Sequence, residues 1–461
     1  MKKAWKLELE TMRGAQPVVL EEEEQGWNLC ERVEALEDRL NEMKWKSNVP
    51  GSGAEEHVLI AAMQDMENMG YDVSKAEALI DEGMRAYEAR DYAKLAMLGG
   101  KVFRLLGEAP KAEGHPYWKY TIYESYEQYA KAVRFAEYRY DMESEDYFAR
   151  TYLGWVAQIC AGALGTAIEG YTTENITRVF GQIYTYPRTP NTLNDDITYE
   201  LAFLFAADAR GKALTSEDIA DQWLALVPFG WSAEDIALRN LKLGIYPPES
   251  GYRNNPYREW IGAQMRGAVC GMVAPGNPKE AARLAFLDGC VSHHNNGVLG
   301  EVFNAVLVSL AYVRSDITEI LEETISAIPA DSEYRSAVDF AFGQCRAQKD
   351  WLSAWKSCEK RFERYNWIHA YPNAAAEVVA LYFGKGDFDE TMHIIAQIGY
   401  DVDCNAAQIA TAVAVMNDKP LDPSWTAPIG DKLRTYMRNV KNLSIRALAE
   451  DTVRVGKKLS L

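Results

Sequence analysis

Two acidic pairs carry the chemistry that this sequence could do. Asp195 and Asp196 are adjacent in "NTLNDDITYELAFL", behind Asn194, and Asp401 and Asp403 lie two apart in "IGYDVDCNAAQIA". Each pair opens a run that reads as a helix. Carboxylates this close repel, and a fold seldom keeps them without a cation between. A helix N-terminus tolerates negative charge through its dipole, and an Asp at a helix start is more often a cap than a metal ligand. Capping therefore accounts for either pair alone. Four carboxylates converging in space would instead make a hard oxygen cage suited to Mg²⁺, Mn²⁺ or Ca²⁺.

Those helix starts lie in a chain with few strand signals after about Tyr152. "YLGWVAQICAGALGTAIE", "GVLGEVFNAVLVSLAYV", "AAAEVVALYF" and "AAQIATAVAVM" are apolar nearly all round, as buried helices of a large bundle are. Their frequent Ala and Gly let helices approach closely. The fold class is all-α, a compact multi-helix bundle with an extra N-terminal helical region. Three parts are expected: an acidic helical segment over 1–50, a helical extension over 54–145, and the main domain over 146–461.

In the first part, Leu29, Val33, Leu36, Leu40 and Met43 alternate at spacings of four and three, an a/d seam of about two heptads. It either pairs with a second chain as a homodimer or packs on its own protein. Self-packing is the expectation, because a coiled coil wants three or more heptads. Pro50, Gly51 and Gly53 in "NVPGSG" read as a linker. Beyond it, Ser74 and Glu77 have capping-box spacing. Two helices then carry apolar faces through Ala76–Tyr87 and Tyr92–Leu106, one hairpin of tetratricopeptide type. A lone repeat cannot bury both faces and must dock on the remaining chain. Tyr117, Tyr120, Tyr123, Tyr126 and Tyr129, each three apart, read as a packing seam onto the main domain.

The order of the blocks adds to this. Gly162 to Gly170, "GALGTAIEG", is followed by "NDDITYELA", by "IGAQMRGAVCGMVAPGNPKEAARLAFLDGCVSHHNNG", by "GYDVDCNAA" and by "LDPSW". Over roughly residues 150–430 this resembles the ADP-ribosylglycohydrolase family, which includes the dinitrogenase reductase-activating glycohydrolases. "NDDITYELA" is similar to its Thr-Asp-Asp-Thr helix start, and "GYDVDCNAA" to its Gly-Asp-Thr-Asp-Thr-Asn-Ala-Ala metal motif. The resemblance implies an all-α domain with two Mg²⁺ (or Mn²⁺) ions at its centre, and hydrolysis of a ribosyl glycosidic bond, ADP-ribosyl or nucleoside-like. It implies Asp195, Asp196, Asp401 and Asp403 as metal ligands, with Asp403 catalytic as well, and Glu169 beside them as ligand or acid/base. Metal-bound water is acidified for attack, and a neighbouring carboxylate can shuttle its proton.

Three positions depart from the family pattern. Gly162 replaces an Asp. Asn194 replaces a Thr, a mild change because its amide oxygen is still a hard ligand. Cys404 replaces another Thr and, as a soft thiol at a ligand position, is expected to leave one of the two ion sites weakened, shifted to Mn²⁺ or lost. The alternative to an enzyme is a catalytically impaired relative that binds ADP-ribose or a nucleotide as an interaction module. His293, His294, Asn295, Asn296 and Gly297, ahead of a long helix, are candidate substrate contacts, although adjacent histidines on a helix point about 100° apart and do not easily share one metal. His369 is a weaker candidate at the mouth of the site.

The bulk composition narrows the partners. A net charge of -18 over 461 residues repels nucleic-acid backbones and anionic membranes. Seven scattered cysteines without CxxC spacing argue for a reducing compartment. The charged start "MKKAWKLELETMRG" lacks the apolar run of a signal peptide. The expected location is the cytoplasm, and the expected partner is a small-molecule or protein-linked riboside.

Overall fold

A computed structural model describes residues 1–460, Asn28 by its backbone alone. Helices dominate, and the described strands form only two two-stranded hairpins, Ser47–Asn48 with Glu55–Glu56 and Leu433–Arg434 with Asn442–Leu443. Among the described residues no helix is long and apolar enough to cross a membrane.

The centre is built by the segments with the least charge. Every residue of the Asn296–Ala311 helix is buried, as are all but the last of Val402–Asn417. A helix without a polar face has no side to show to water, so its neighbours must surround it. Glu145–Gly165 lies along Val402–Asn417 in the most extensive helix pairing of the molecule. Gly154 makes that approach possible, since a Cβ there would stand 3.0 Å from the Val415 side chain.

The N-terminal region has a smaller apolar core. Trp45, Leu95, Leu98, Val102 and Leu106 share it with Tyr257 and Trp260 of the main body. Trp45 fills the space beside Gly83, and its indole N–H donates to the Leu95 carbonyl at 3.3 Å. The Tyr92–Gly107 helix starts at Asp91, whose side chain accepts from the Lys94 N–H. The expected Ser74–Glu77 capping box does not form. Ser74 is already helical, Asp72 accepts its N–H, and the helix breaks after Glu77.

All five tyrosine hydroxyls of the 117–129 run donate into the main body. Tyr117 reaches Glu259, Tyr120 Ser336, Tyr123 Asp331, Tyr126 the Lys279 carbonyl and Tyr129 the Ala327 carbonyl. The run is thus a packing seam, although it spans a 3₁₀ turn and a short helix rather than one element. The heptad seam is a different matter. Leu29, Val33 and Leu36 on the Leu29–Trp45 helix are 56, 60 and 60% exposed, so self-packing begins only at Leu40 and Met43. Residues 50–53 are no free linker either. The Val49 N–H donates to the Ala54 carbonyl and closes a hairpin whose tip they form.

Candidate functional site

The second acidic pair is set by the turn into Val402–Asn417. Asp401 occupies the cap position and Asp403 the first turn. The Asp401 N–H donates to Asn373 Oδ1 at 3.2 Å, and Asn405 Nδ2 donates to the same oxygen at 2.8 Å. Asn373 is fixed in turn, because its Nδ2 donates to the Trp367 and His369 carbonyls. The first pair opens Asp196–Arg210, with Asp195 at the cap position.

Capping does not explain either pair. An N-cap carboxylate accepts a backbone N–H from its own first turn, and neither Asp195 nor Asp401 does so. Both side chains line one cavity instead. Cys404 Sγ donates to Asp196 Oδ1 at 3.4 Å across about two hundred residues of sequence, which joins the two helix starts. Gly165, at the end of Glu145–Gly165, lets that helix reach the same point, since a Cβ there would fall on the Asp403 backbone. Four residues further on, Glu169 completes the group. Its loop is held to the second pair by hydrogen bonds from Gly170 N–H to the Tyr400 carbonyl and from Tyr400 N–H to the Tyr171 carbonyl, both 2.9 Å.

Glu169, Asn194, Asp195, Asp401, Asp403 and Cys404 line one cavity of about 570 Å³. Asp196 is fully buried behind it. The electrostatics are those of an uncompensated anion cluster. Burial, then the charge of Asp403, pushes the carboxyl groups of Glu169, Asp196 and Asp401 well above their usual range. Asp195, open to the cavity, is raised to about 6 for the same two reasons. Burial raises Asp403 too, but hydrogen bonds from Asp401 and Glu169 hold it down. Asp403 is therefore the hub, the charge on which the other carboxyl groups depend.

Three buried oxygens of the cluster, Asn194 Oδ1, Asp196 Oδ2 and Asp403 Oδ1, have no hydrogen-bond partner. Oxygens in that state cost stability unless something meets them. The side-chain ligand atoms of Asp401, Asp403 and Cys404 lie within 4.8 Å of one another. The carboxylate and amide oxygens of the cluster suit a hard divalent cation, and the thiol does not. The Cys404 thiol is pushed well up, by burial and then by Asp196, so it is a neutral donor to Asp196 rather than a thiolate. Two of the departures from the family pattern meet in space, since a Cβ on Gly162 would lie 3.3 Å from Asn194 Nδ2. The Asn194 amide thus sits where a longer side chain at 162 would begin.

Of the other expected contacts, His293, His294, Asn295, Asn296 and Gly297 do not line this cavity, so the structure does not bring that segment together with the acidic pairs. The side chains of Asn295 and Asn296 are used inside the fold, whereas His293 Nε2 is buried without a hydrogen-bond partner. Asn295 and Asn296 donate to the two oxygens of Glu259 at 2.8 and 3.0 Å, and they accept the N–H groups of Tyr123 and Tyr334. Gly297 packs against the Arg258 carbonyl. His293 shares a hydrogen bond with Ser292 at 2.8 Å, while His294 borders a separate cavity. His369 is buried 3.2 Å from Asp65, and its neighbours Trp367 and Ile368 line the cavity instead.

Sequence reasoning missed several wall residues. Glu234 lies over Gly262, where a Cβ would collide with its carboxylate. It is raised to about 7 by burial and countered by Arg266. That arginine, fully buried, pairs with Asp288, donates to Ser292 Oγ at 3.0 Å and faces the Trp223 and Tyr199 rings. The quoted "QMRGAV" stretch thus supports the wall from behind. Trp231, Phe229, Tyr436, Arg188 and Glu56 also line the cavity, and nothing in their local sequence marks them.

The fold and site define an all-α protein with a carboxylate cluster at the meeting of two helix starts and a loop. Residues 143–458 match the ADP-ribosylglycohydrolase family, and the chain belongs to it. Its function is accordingly of the glycohydrolase type. A solved structure described as an ADP-ribosylglycohydrolase-related protein complex is similar at 18% identity and TM-score 0.49, over 69% of this chain and 100% of that one. No curated protein matches.

Proposed function

We propose that the protein is a divalent-metal-dependent glycohydrolase that cleaves the bond between a ribosyl anomeric carbon and its leaving group. The supporting observation is the convergence of Asp195, Asp401, Asp403 and Glu169 on one cavity, with Asp196 buried behind it and buried oxygens left unmatched. The four aspartates and the Asn194 amide oxygen would hold Mg²⁺ or Mn²⁺, in two sites of which the one nearer Cys404 is weaker. When bound, the metal supplies Lewis acidity toward ribose hydroxyls and the attacking water.

The chain's own groups do the rest. Glu169, on a loop beside the cluster, takes the proton of the water as its oxygen bonds to the anomeric carbon, and the departing group takes a proton from solvent as the old bond breaks. Positive charge that develops on the sugar in the transition state is stabilised by the surrounding carboxylates. Trp231, Phe229 and Trp367 give the cavity an apolar side against which a flat group can rest.

The test is a panel of ADP-ribosyl-arginine, ADP-ribosyl-serine, ADP-ribose and free nucleosides, assayed with chelator and with Mg²⁺ or Mn²⁺. Metal-dependent release of ribose or ADP-ribose is expected from at least one member. Tight binding of ADP-ribose by the metal-loaded protein, with no turnover of any member, would favour the binding-module reading.

A further inference from the structure

The hairpin of residues 47–56 lies outside the matched residues 143–458, yet it forms one wall of the cavity. Asn48, Val49, Pro50, Gly51 and Glu56 line it, with Met43 from the preceding helix. Its tip rests on the loop that carries Glu169. A Cβ on Gly51 would collide with the Thr166 carbonyl and stand 2.7 Å from Glu169 Oε1. Arg188 ties tip and loop together, since Nη1 donates to the Gly51 carbonyl at 2.7 Å and Nη2 to the Thr166 carbonyl at 3.4 Å. The Tyr171 hydroxyl donates to the Ser52 carbonyl at 3.2 Å.

The base of the hairpin is equally fixed. Glu56 accepts from Ser47 Oγ at 2.9 Å and from Trp231 Nε1 at 3.3 Å. Trp45 is buried just before the first strand, and the Val58 carbonyl just after the second accepts from the Tyr257 hydroxyl at 3.0 Å. The hairpin is held at both ends and at its tip, so it is not a loose strap.

We infer that this hairpin is a built-in part of the active site, which holds Glu169 in position and confines the reacting riboside to a small, free molecule. The inference rests on the glycohydrolase reading above. A side chain modified on a folded protein brings its backbone with it and needs an open face. The cavity of about 570 Å³ is of the size typical of small-molecule sites, about 300–1,000 Å³, and the hairpin walls the side along which a protein backbone would have to lie. Gly51 is a positioning residue, because any side chain there displaces the Glu169 loop.

Two full-length variants test this. Because Val49 and Ala54 close the hairpin, replacing residues 50–53 with an Asn-Gly turn shortens the tip without shifting register. Gly51→Val keeps the tip but crowds Glu169. The parent should cleave free ribosides and leave ADP-ribosylated proteins intact. Both variants should keep the parent's bound metal and lose about a hundredfold in kcat on free ribosides, as a misplacement of about 1 Å commonly costs. The shortened variant should also gain activity on the protein-linked substrates. Comparable kcat/KM of the parent on free and protein-linked substrates would overturn the confinement. Parental kcat in both variants would overturn the positioning role. Hydrogen exchange with and without ADP-ribose separates this inference from the wider reading. Protection at 47–56 together with 401–404 supports the hairpin as a wall, and protection at 401–404 alone overturns it while leaving the metal-site reading intact. Absence of both turnover and protection would overturn the glycohydrolase reading and this inference with it.

Discussion

Asp403→Asn should make the metal-free protein more stable and the metal-loaded protein less so. Burial aside, Asp403 is the charge that most raises Glu169, Asp195, Asp196 and Asp401. Its ligand oxygen lies within 4.8 Å of that of Asp401. Two unit charges at that separation repel by about 3.5 kcal/mol at an effective dielectric of about 20. Protons on the neighbouring carboxyl groups relieve part of this already, so a gain on the order of 1–2 kcal/mol is expected in chelator. The new amide can donate to Asp401 and Glu169. In metal the order reverses. A cation at a hundred times its Kd stabilises the parent by about 2.7 kcal/mol, and the variant, with weaker affinity, gains less. Turnover should fall by about a hundredfold or more. Thermal melts in chelator and in Mn²⁺ would show the two curves crossing. A variant that melts below the parent in chelator, or gains as much from metal as the parent does, would refute the hub role of Asp403.

Glu169→Gln should cut turnover while bound metal, measured by elemental analysis, largely persists; loss of both together would make Glu169 a ligand rather than a proton shuttle. Calorimetric titration of the parent with Mg²⁺ should show unequal sites, and Cys404→Thr should tighten the weaker one, because a hard hydroxyl replaces a soft thiol; two equal tight sites in the parent would contradict this. Gly165→Val should destabilise the fold by about 1–3 kcal/mol, the usual cost of overpacking, and lower metal affinity, because the side chain would collide with the Asp403 backbone; an unchanged melting temperature would contradict it. The exposed seam through Leu29, Val33 and Leu36 is proposed to pair two chains, so Val33→Glu with Leu36→Glu should convert a dimer to a monomer by light scattering, and a monomeric parent would dismiss the pairing.

How far the sequence was legible depended on whether a residue acts through its neighbours in the chain or through distant ones. The all-α class was readable because Asn296–Ala311 and Val402–Asn417 show their burial in composition alone. Either acidic pair alone reads as capping, because helix starts favour carboxylates, and the two became readable together through their place in the order of blocks that resembles the family. The His293–Gly297 segment was not legible, because a polar loop before a long helix looks the same whether its partners are a ligand or, as for Asn295 and Asn296, Glu259, Tyr123 and Tyr334. The turn residues of "NVPGSG" announced a break but not a destination. Only the fold brings Gly51 against Glu169, more than a hundred residues away. Glu234 and Trp231 gave no signal, since a carboxylate or an indole acquires its role from the cavity it faces.

The most direct measurement is anomalous diffraction from crystals grown with Mn²⁺. The expected result is anomalous density in contact with carboxylates of both pairs, Asp195 or Asp196 on one side and Asp401 or Asp403 on the other, with two peaks of unequal height if Cys404 weakens one site. Density elsewhere in the molecule, or none at this cluster at saturating Mn²⁺, would contradict the proposal that these four aspartates form the metal centre.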